Sequence, residues 1–205
     1  LKADGTFRLN LEYFDFCTGL RMTNKKFDTL FGGPARSSET LLTQREMDLA
    51  ASIQEVTEEI VLRLGRSIAS ETGEHNLCLA GGVALNCVAN GKLLRDKAFK
   101  NIWIQPAAGD SGGALGAALT TYYYHLGEAR CVSRSTDQMK GTYLGPEFSQ
   151  TDIENRLTTA GAKFSTHSDR DVTAKTAKAL SNGMAVGWFQ GRMEFGPRAL
   201  GGRSI

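Results

Sequence analysis

Two apolar runs and the turns that follow them decide the fold. The first is Asn76, Leu77, Cys78, Leu79 and Ala80, which runs into Gly81, Gly82, Val83, Ala84, Leu85 and Asn86. The second is Ile102, Trp103, Ile104, Gln105 and Pro106, which runs into Gly109, Asp110, Ser111, Gly112 and Gly113 and then the small-residue stretch Ala114 to Ala118. Each apolar run reads as a strand, and each glycine turn opens a helix (Val83 to Phe99 and Asp110 to Leu126). Strand, turn and helix in alternation predict an α/β layer structure with at least one parallel pair. The arrangement sets backbone N–H groups and two positive helix ends at the tips of neighbouring strands, a layout suited to phosphate or another anion.

Outward from this centre the pattern is mixed. Residues 5 to 16 alternate apolar and polar and predict a strand. Thr43 to Glu46 is a capping box, and the long helix after it carries Leu49, Ile53, Val56, Ile60, Leu64 and Ile68 as an expected buried stripe. Glu59 and Arg63 are spaced to pair on its wet side, and Thr72-Gly73 is a stop signal. Apolar periodicity fades over residues 127 to 142, where Ser133 to Asp137 reads as a boundary. Beyond it, Thr151 and Glu154 form a second capping box, Ala162 to Ser165 reads as a short strand, and Asp171 to Asn182 reads as a helix closed by Gly183. Met184 to Phe189 is expected to be a buried strand.

Composition narrows the function. The chain has 205 residues, 41% hydrophobic and 22% charged, as ordinary soluble domains do. A net charge of +2 without a polybasic run argues against nucleic acid as partner. No apolar stretch approaches the roughly 20 residues of a membrane span. Cys17, Cys78, Cys87 and Cys131 match no zinc or disulfide spacing, which fits a reducing cytoplasm; Cys78 and Cys87 read as small core residues. His75, His125 and His167 form no ligand spacing. The start at Leu1 and the stop just after a motif-dense run lead us to expect a fragment of a longer polypeptide.

Three places carry the candidate chemistry. At Gly81-Gly82 the missing Cβ atoms allow close approach of a nucleotide or other anion, with Val83 and Asn86 beside it; a tight turn with no ligand is the other reading. Asp110, between Gly109 and Gly112, stands at a helix start, where a carboxylate serves as a cap or holds a metal or metal-bound water. Arg192, Arg198 and Arg203 alternate with Gly191, Gly196, Gly201 and Gly202, with Glu194 placed to orient one of them. Guanidinium forks on a held loop suit phosphate or carboxylate.

Three long motifs, in order, carry a resemblance. Leu79 to Cys87 with Ala89-Asn90-Gly91, then Gln105 to Ala118, then Gly187 to Gly201 together resemble the O-carbamoyltransferases of the nodulation-factor and antibiotic-tailoring (cephamycin, tobramycin) type; Phe31 to Arg36 and the Thr43 helix look similar to the same family. The resemblance implies part of an actin-like ATPase domain over residues 1–134 and the start of a YrdC-like α/β domain over 135–205. It implies ATP and carbamoyl phosphate as reactants, carbamoyl adenylate as intermediate and a small hydroxyl-bearing acceptor. It also implies a divalent metal, iron by family, held by two histidines and an aspartate. Carried over, Asp110 matches the metal ligand. Gly81, Gly82, Val83 and Asn86 match the nucleotide motif, with Gly109 and Gly112 beside it. Arg198, Arg192, Glu194 and Arg203 match the arginine motif, which is expected to face a phosphate. The paired metal histidines belong to an earlier segment that His75, His125 and His167 do not replace, so this piece alone is expected to be inactive. Where Gly202 stands the family usually has Asn. Two other functions stay open: an actin-like nucleotide-binding module without carbamoyl chemistry, and a threonylcarbamoyl transferase acting on transfer RNA. Homo-oligomerisation stays open as well.

Overall fold

The computed structural model describes residues 1–132 and 137–205, so most of the expected boundary at Ser133 to Asp137 lies outside the described residues. The chain divides into two compact units, 1–78 with 86–103, and 79–85 with 104–205.

The first unit is built on one long helix. Helix α1 (Lys25–Leu30) is short, and helix α2 (Gln44–Thr72) runs for 29 residues. At its start Glu46 reaches back to accept hydrogen bonds from the Thr43 N–H at 2.8 Å and the Thr43 hydroxyl at 2.5 Å. At its end Gly73 takes the left-handed conformation, φ +67°, that lets a helix stop. Glu59 and Arg63 pair at 2.5 Å on the exposed side. Helix α3 (Cys87–Asp96) packs on α2, with Leu93 against Gly65, where any side chain would collide. A polar network reinforces the pairing: Asn86 and Gln54 exchange amide hydrogen bonds at 2.8 and 3.1 Å, Gln54 donates to Glu58 at 2.7 Å, and Lys92 pairs with Glu58.

The expected buried stripe on α2 is only partly covered. Ile53, Val56 and Ile68 are 64%, 48% and 42% exposed, and the buried positions of the helix are Glu58 and Gly65. Part of the stripe opens on an apolar groove of about 610 Å³, whose other walls are Phe14, Phe27 and Phe31. Those rings stack edge to face or tilted at 4.5–5.9 Å. The strand expected over residues 5 to 16 is instead a 3₁₀ turn at Leu11–Tyr13, with a single bridge from Phe14 to Thr23. Asn10 caps that turn through its side chain, a local bond that competes with strand pairing.

Strands β1 (Asn76–Leu79) and β2 (Asn101–Ile104) pair with each other. His75 C=O accepts from Asn101 N–H at 3.2 Å, and Leu79 C=O accepts from Gln105 N–H at 3.0 Å, so register climbs in step and the pair is parallel. The mixed helix and strand content is α/β, as the alternation predicts.

In the second unit, helix α4 (Asp110–Thr120) continues as one π-helical turn through His125. Helix α5 (Gln150–Thr159) is capped by the Ser149/Asp152 box, two residues before the expected one, because Ser149 keeps extended backbone while Thr151 is already helical. Helix α6 (Asp169–Ser181) starts two residues before the expected Asp171, capped by Ser168, and gives way at Gly183, φ +75°. Residues 162–168 form no strand. The strand expected over Met184 to Phe189 shrinks to β3 (Trp188–Phe189), half-buried at Trp188 and exposed at Phe189, which pairs antiparallel with β4 (Arg203–Ser204). The buried apolar core is small: Ala84, Ala89, Leu93, Phe99, Ala107 and Ala108. Cys78 and Cys87, expected inside, are exposed, as are Cys17 and Cys131; in both strands the pattern alternates, and Cys78 falls on the outer face. Among the described residues no helix is long and apolar enough to cross a membrane.

Candidate functional site

Residues 190–202 form a loop closed at its base by β3 and β4, where Gln190 N–H also donates to Gly202 C=O at 2.8 Å. The loop has almost no regular structure, yet polar bonds hold it throughout. Glu194 is its centre. The residue is 3% exposed, and its Oε1 accepts from the backbone N–H groups of Leu200 at 2.7 Å, Gly202 at 2.7 Å and Arg203 at 3.3 Å. Burial alone would raise its pKa, but those N–H groups outweigh it and hold the carboxyl at about 2 against an ordinary 4.5. Glu194 Oε2 is buried without a hydrogen-bond donor; the nearest cation is Arg203 Nε at 3.6 Å.

Segment 142–147 braces the outside of this loop. Thr142 C=O accepts from Phe195 N–H at 2.6 Å, Met193 and Gly145-Pro146 exchange backbone bonds at 2.9 and 3.0 Å, and the Tyr143 hydroxyl donates to Leu200 C=O at 2.8 Å. Thr142 is fully buried at φ +71°, a strained setting for a β-branched residue that the surrounding bonds enforce. Sequence reading did not single out Thr142, Tyr143 or Glu147. Their signal is non-local, and a lone Tyr or Thr in a turn gives no pattern to read.

The three arginines have different surroundings. Arg192 donates to Gly145 C=O at 2.8 Å and to Glu147 at 2.9 Å. Arg203 donates to Gly196 C=O and faces Glu194. Arg198 is exposed and has no hydrogen-bond or ion-pair partner among the described residues.

The two glycine turns meet this loop through Ala107 and Ala108. Gly81 N–H donates to Ala108 C=O at 2.8 Å, which ties the first turn to the second. Ala107, with no exposed surface, lies against Gly196, where an added Cβ would stand 3.1 Å from its methyl group and φ is +113°. Gly112 also packs onto the Ala107 carbonyl, which leaves no space there for a side chain. At Gly81, Gly82 and Gly109 an added Cβ would meet open space, with nothing beyond the chain neighbours within 4 Å. Val83, in the 3₁₀ turn after Gly82, is 61% exposed. The second unit therefore brings Gly81, Gly82, Val83, Gly109, Asp110 and the arginine loop around one alanine junction.

Asp110 is exposed in the first turn of α4. The N-cap is Gly109, and the Asp110 carboxylate makes no capping bond and has no partner among the described residues. The capping reading of Asp110 fails on that geometry; its charge instead sits at the positive helix end. Asn86 is not inside a helix turn as expected. It is the N-cap of α3, accepting from Ala89 N–H at 3.1 Å and pairing with Gln54. Among the described residues no group of three or more His, Cys, Asp or Glu side chains can hold a metal, so Asp110 offers one donor where a transition metal takes several.

Comparison with known proteins places the chain. Its residues 1–119 match the family model described as carbamoyltransferase N-terminus, and residues 177–205 match the one described as carbamoyltransferase C-terminus. The chain belongs to the carbamoyltransferase family. It is 63% identical, along its whole length, to an uncharacterized protein of Synechocystis, of which it covers 34%. It is 44% identical to nodulation protein NolNO of Sinorhizobium fredii over 80% of this chain and 23% of that protein. It is 45% identical to nodulation protein NolO of Bradyrhizobium diazoefficiens over 80% of this chain and 29% of that one. The chain thus spans between about a quarter and a third of the length of these relatives.

Proposed function

We propose that the full-length protein is an O-carbamoyltransferase that activates carbamate with ATP and passes the carbamoyl group to a hydroxyl of a small molecule such as a sugar, an antibiotic or a nodulation factor. Carbamoyl phosphate supplies the carbamate: water enters and phosphate leaves. A carbamate oxygen attacks the α-phosphorus of ATP, the bond to the β-phosphate oxygen breaks, and pyrophosphate departs, leaving carbamoyl adenylate. The acceptor hydroxyl oxygen then attacks the carbamoyl carbon, AMP leaves with the bonding pair, and the hydroxyl proton passes to a base or to water.

The observation that carries this reading is the Ala107–Ala108 junction in a chain of this family. Each step builds or releases phosphate charge. Fixed cationic forks and backbone N–H groups stabilise such charge without reorganising. The junction joins the glycine turn at Gly81 and the loop of Arg192, Arg198 and Arg203 within one unit. In the same proposal residues 1–134 belong to an actin-like domain and 135–205 open a YrdC-like one. The exposed Asp110 is one ligand of a divalent metal, iron by family likeness, and the unpaired cysteines fit the cytoplasm.

The test is carbamoyl-phosphate-dependent release of pyrophosphate from ATP by the full-length protein, with carbamoyl adenylate identified by mass spectrometry. Tight ATP binding without pyrophosphate release would overturn the proposal in favour of a nucleotide-binding module.

A further inference from the structure

We infer that the apolar groove of the first unit is an internal docking surface, filled in the full-length protein by an amphipathic segment of its own polypeptide from outside residues 1–205. The inference is independent of the carbamoyl reading. One wall is the open stripe of α2, with Leu49, Ile53 and Val56; the others carry Leu9, Leu30 and the Phe14–Phe27–Phe31 cluster. Leu9, Leu30, Phe31, Ile53 and Val56 are all exposed around this one concavity of about 610 Å³. A soluble protein rarely leaves so much apolar surface gathered in one place, so something covers it. A small ligand needs polar groups that converge on it. Here the polar lining is turned to its own chain: Asn10 Oδ1 accepts from Glu12 N–H at 3.2 Å, and the Ser52 hydroxyl donates to Asp48 C=O at 2.7 Å. A second copy in a two-fold pair would set the groove against itself, concave on concave, and fill neither. A further segment of the same polypeptide has neither difficulty. The chain is 63% identical along its whole length to the Synechocystis protein yet covers 34% of it, so about two thirds of a protein of that size is available to supply the cover. Leu49, Ile53 and Val56 stand at helical spacings of four and three, the ridge on which a second helix packs. Among the described residues no charged side chain lines the groove, so the face that enters it is apolar.

The experiment uses the full-length protein with the photo-crosslinker benzoylphenylalanine in place of Leu30 and, separately, of Ser52 at the rim, followed by mass spectrometry of the joined peptides. The expected product has the mass of one chain, and both probes are joined to the same stretch outside residues 1–205. A product of twice that mass puts a second copy in the groove and overturns the inference, as do joined peptides confined to residues 1–205. A second measurement does not depend on the probes. Ile53→Asp in the full-length protein sets a carboxylate under the cover, so the melting temperature falls by several degrees and the fluorescence of added anilinonaphthalene sulfonate rises. Ile53→Ala, which leaves only a cavity, gives a smaller fall of the same sign. If the wild-type protein already binds the dye, and Ile53→Asp displaces it at an unchanged melting temperature, the groove is open to small apolar ligands and the inference fails.

Discussion

Helix α2 and the loop from Gln190 to Gly202 each hold a glutamate whose carboxyl sits near pKa 2, and they do so by opposite means. Glu46 is lowered by the side chain of Thr43, then by the Thr43 backbone and by Arg45, all within three residues. Glu194 is lowered against its own burial by backbone N–H groups six to nine residues away, on a loop braced by segment 142–147. The helix is regular and half open, with Ile53 and Val56 exposed; the loop is irregular and closed around a buried charge. Regular hydrogen bonding and burial are thus separate properties here. A helix satisfies its own backbone wherever it lies, whereas a loop around a buried carboxylate persists only while every donor stays in place.

The largest expected effect breaks that comparison or confirms it. Glu194→Ala leaves the N–H groups of Leu200, Gly202 and Arg203 without their acceptor and Arg203 without its counter-charge. Buried donors left unpaired are costly, so the melting temperature should fall on the order of 10 °C. Ile53→Ala on the open stripe should move it by about 1–2 °C, as exposed positions do. Scanning calorimetry of the 205-residue chain decides the order. If Ile53→Ala has the larger effect, the stripe is covered in solution and the contrast between the two regions falls.

How much of this was legible divides along the same line. The bounds of α2, the β1–β2 pair, α4 and the glycine after α6 follow from caps, turns and periodicity written within a few residues. The glycine-interleaved pattern marked the loop's arginines and Glu194, and the resemblance matched them to a motif. What stayed hidden was their arrangement: three arginines in one glycine-rich run look alike until Glu147, Gly145 and Gly196 are seen to occupy two of them. Asn86 was misplaced because a 3₁₀ turn, Gly82–Leu85, intervenes before α3 and moves the helix start onto it. The strand reading at 5–16 counted alternation, and those at 162–165 and over most of 184–189 read short runs as strands, where no strand pairing forms.

A smaller effect sharpens the electrostatic half of the contrast. Both carboxyls have folded values near 2, below the ordinary 4.5, so each adds stability that is complete above about pH 4.5 and is lost as pH falls through about 2. Glu194→Gln should flatten the acid response of Trp188 fluorescence over that window, read in a Trp103→Phe background, and leave the helical circular dichroism of α2 titrating as before. Glu46→Gln should do the reverse. A single variant that flattens both signals would show one cooperative acid transition and remove the independence argued for the two regions.

A local effect concerns the one side-chain oxygen the loop leaves without a donor. Gly202 does not need glycine for its backbone, since its φ lies outside the left-handed range, but a Cβ there would stand 3.0 Å from Arg192 C=O and 3.1 Å from Glu194 Oε2. Gly202→Ala adds that crowding and returns nothing. Gly202→Asn adds the same crowding together with an amide N–H beside an oxygen whose nearest cation is 3.6 Å away. Asn at this position should therefore melt above Ala by about 2–4 °C, the shift worth one ordinary hydrogen bond in a chain of this length. Equal melting of the two variants would mean that Glu194 Oε2 already finds its donor in solution, and that the loop is closed more tightly than its direct hydrogen bonds show.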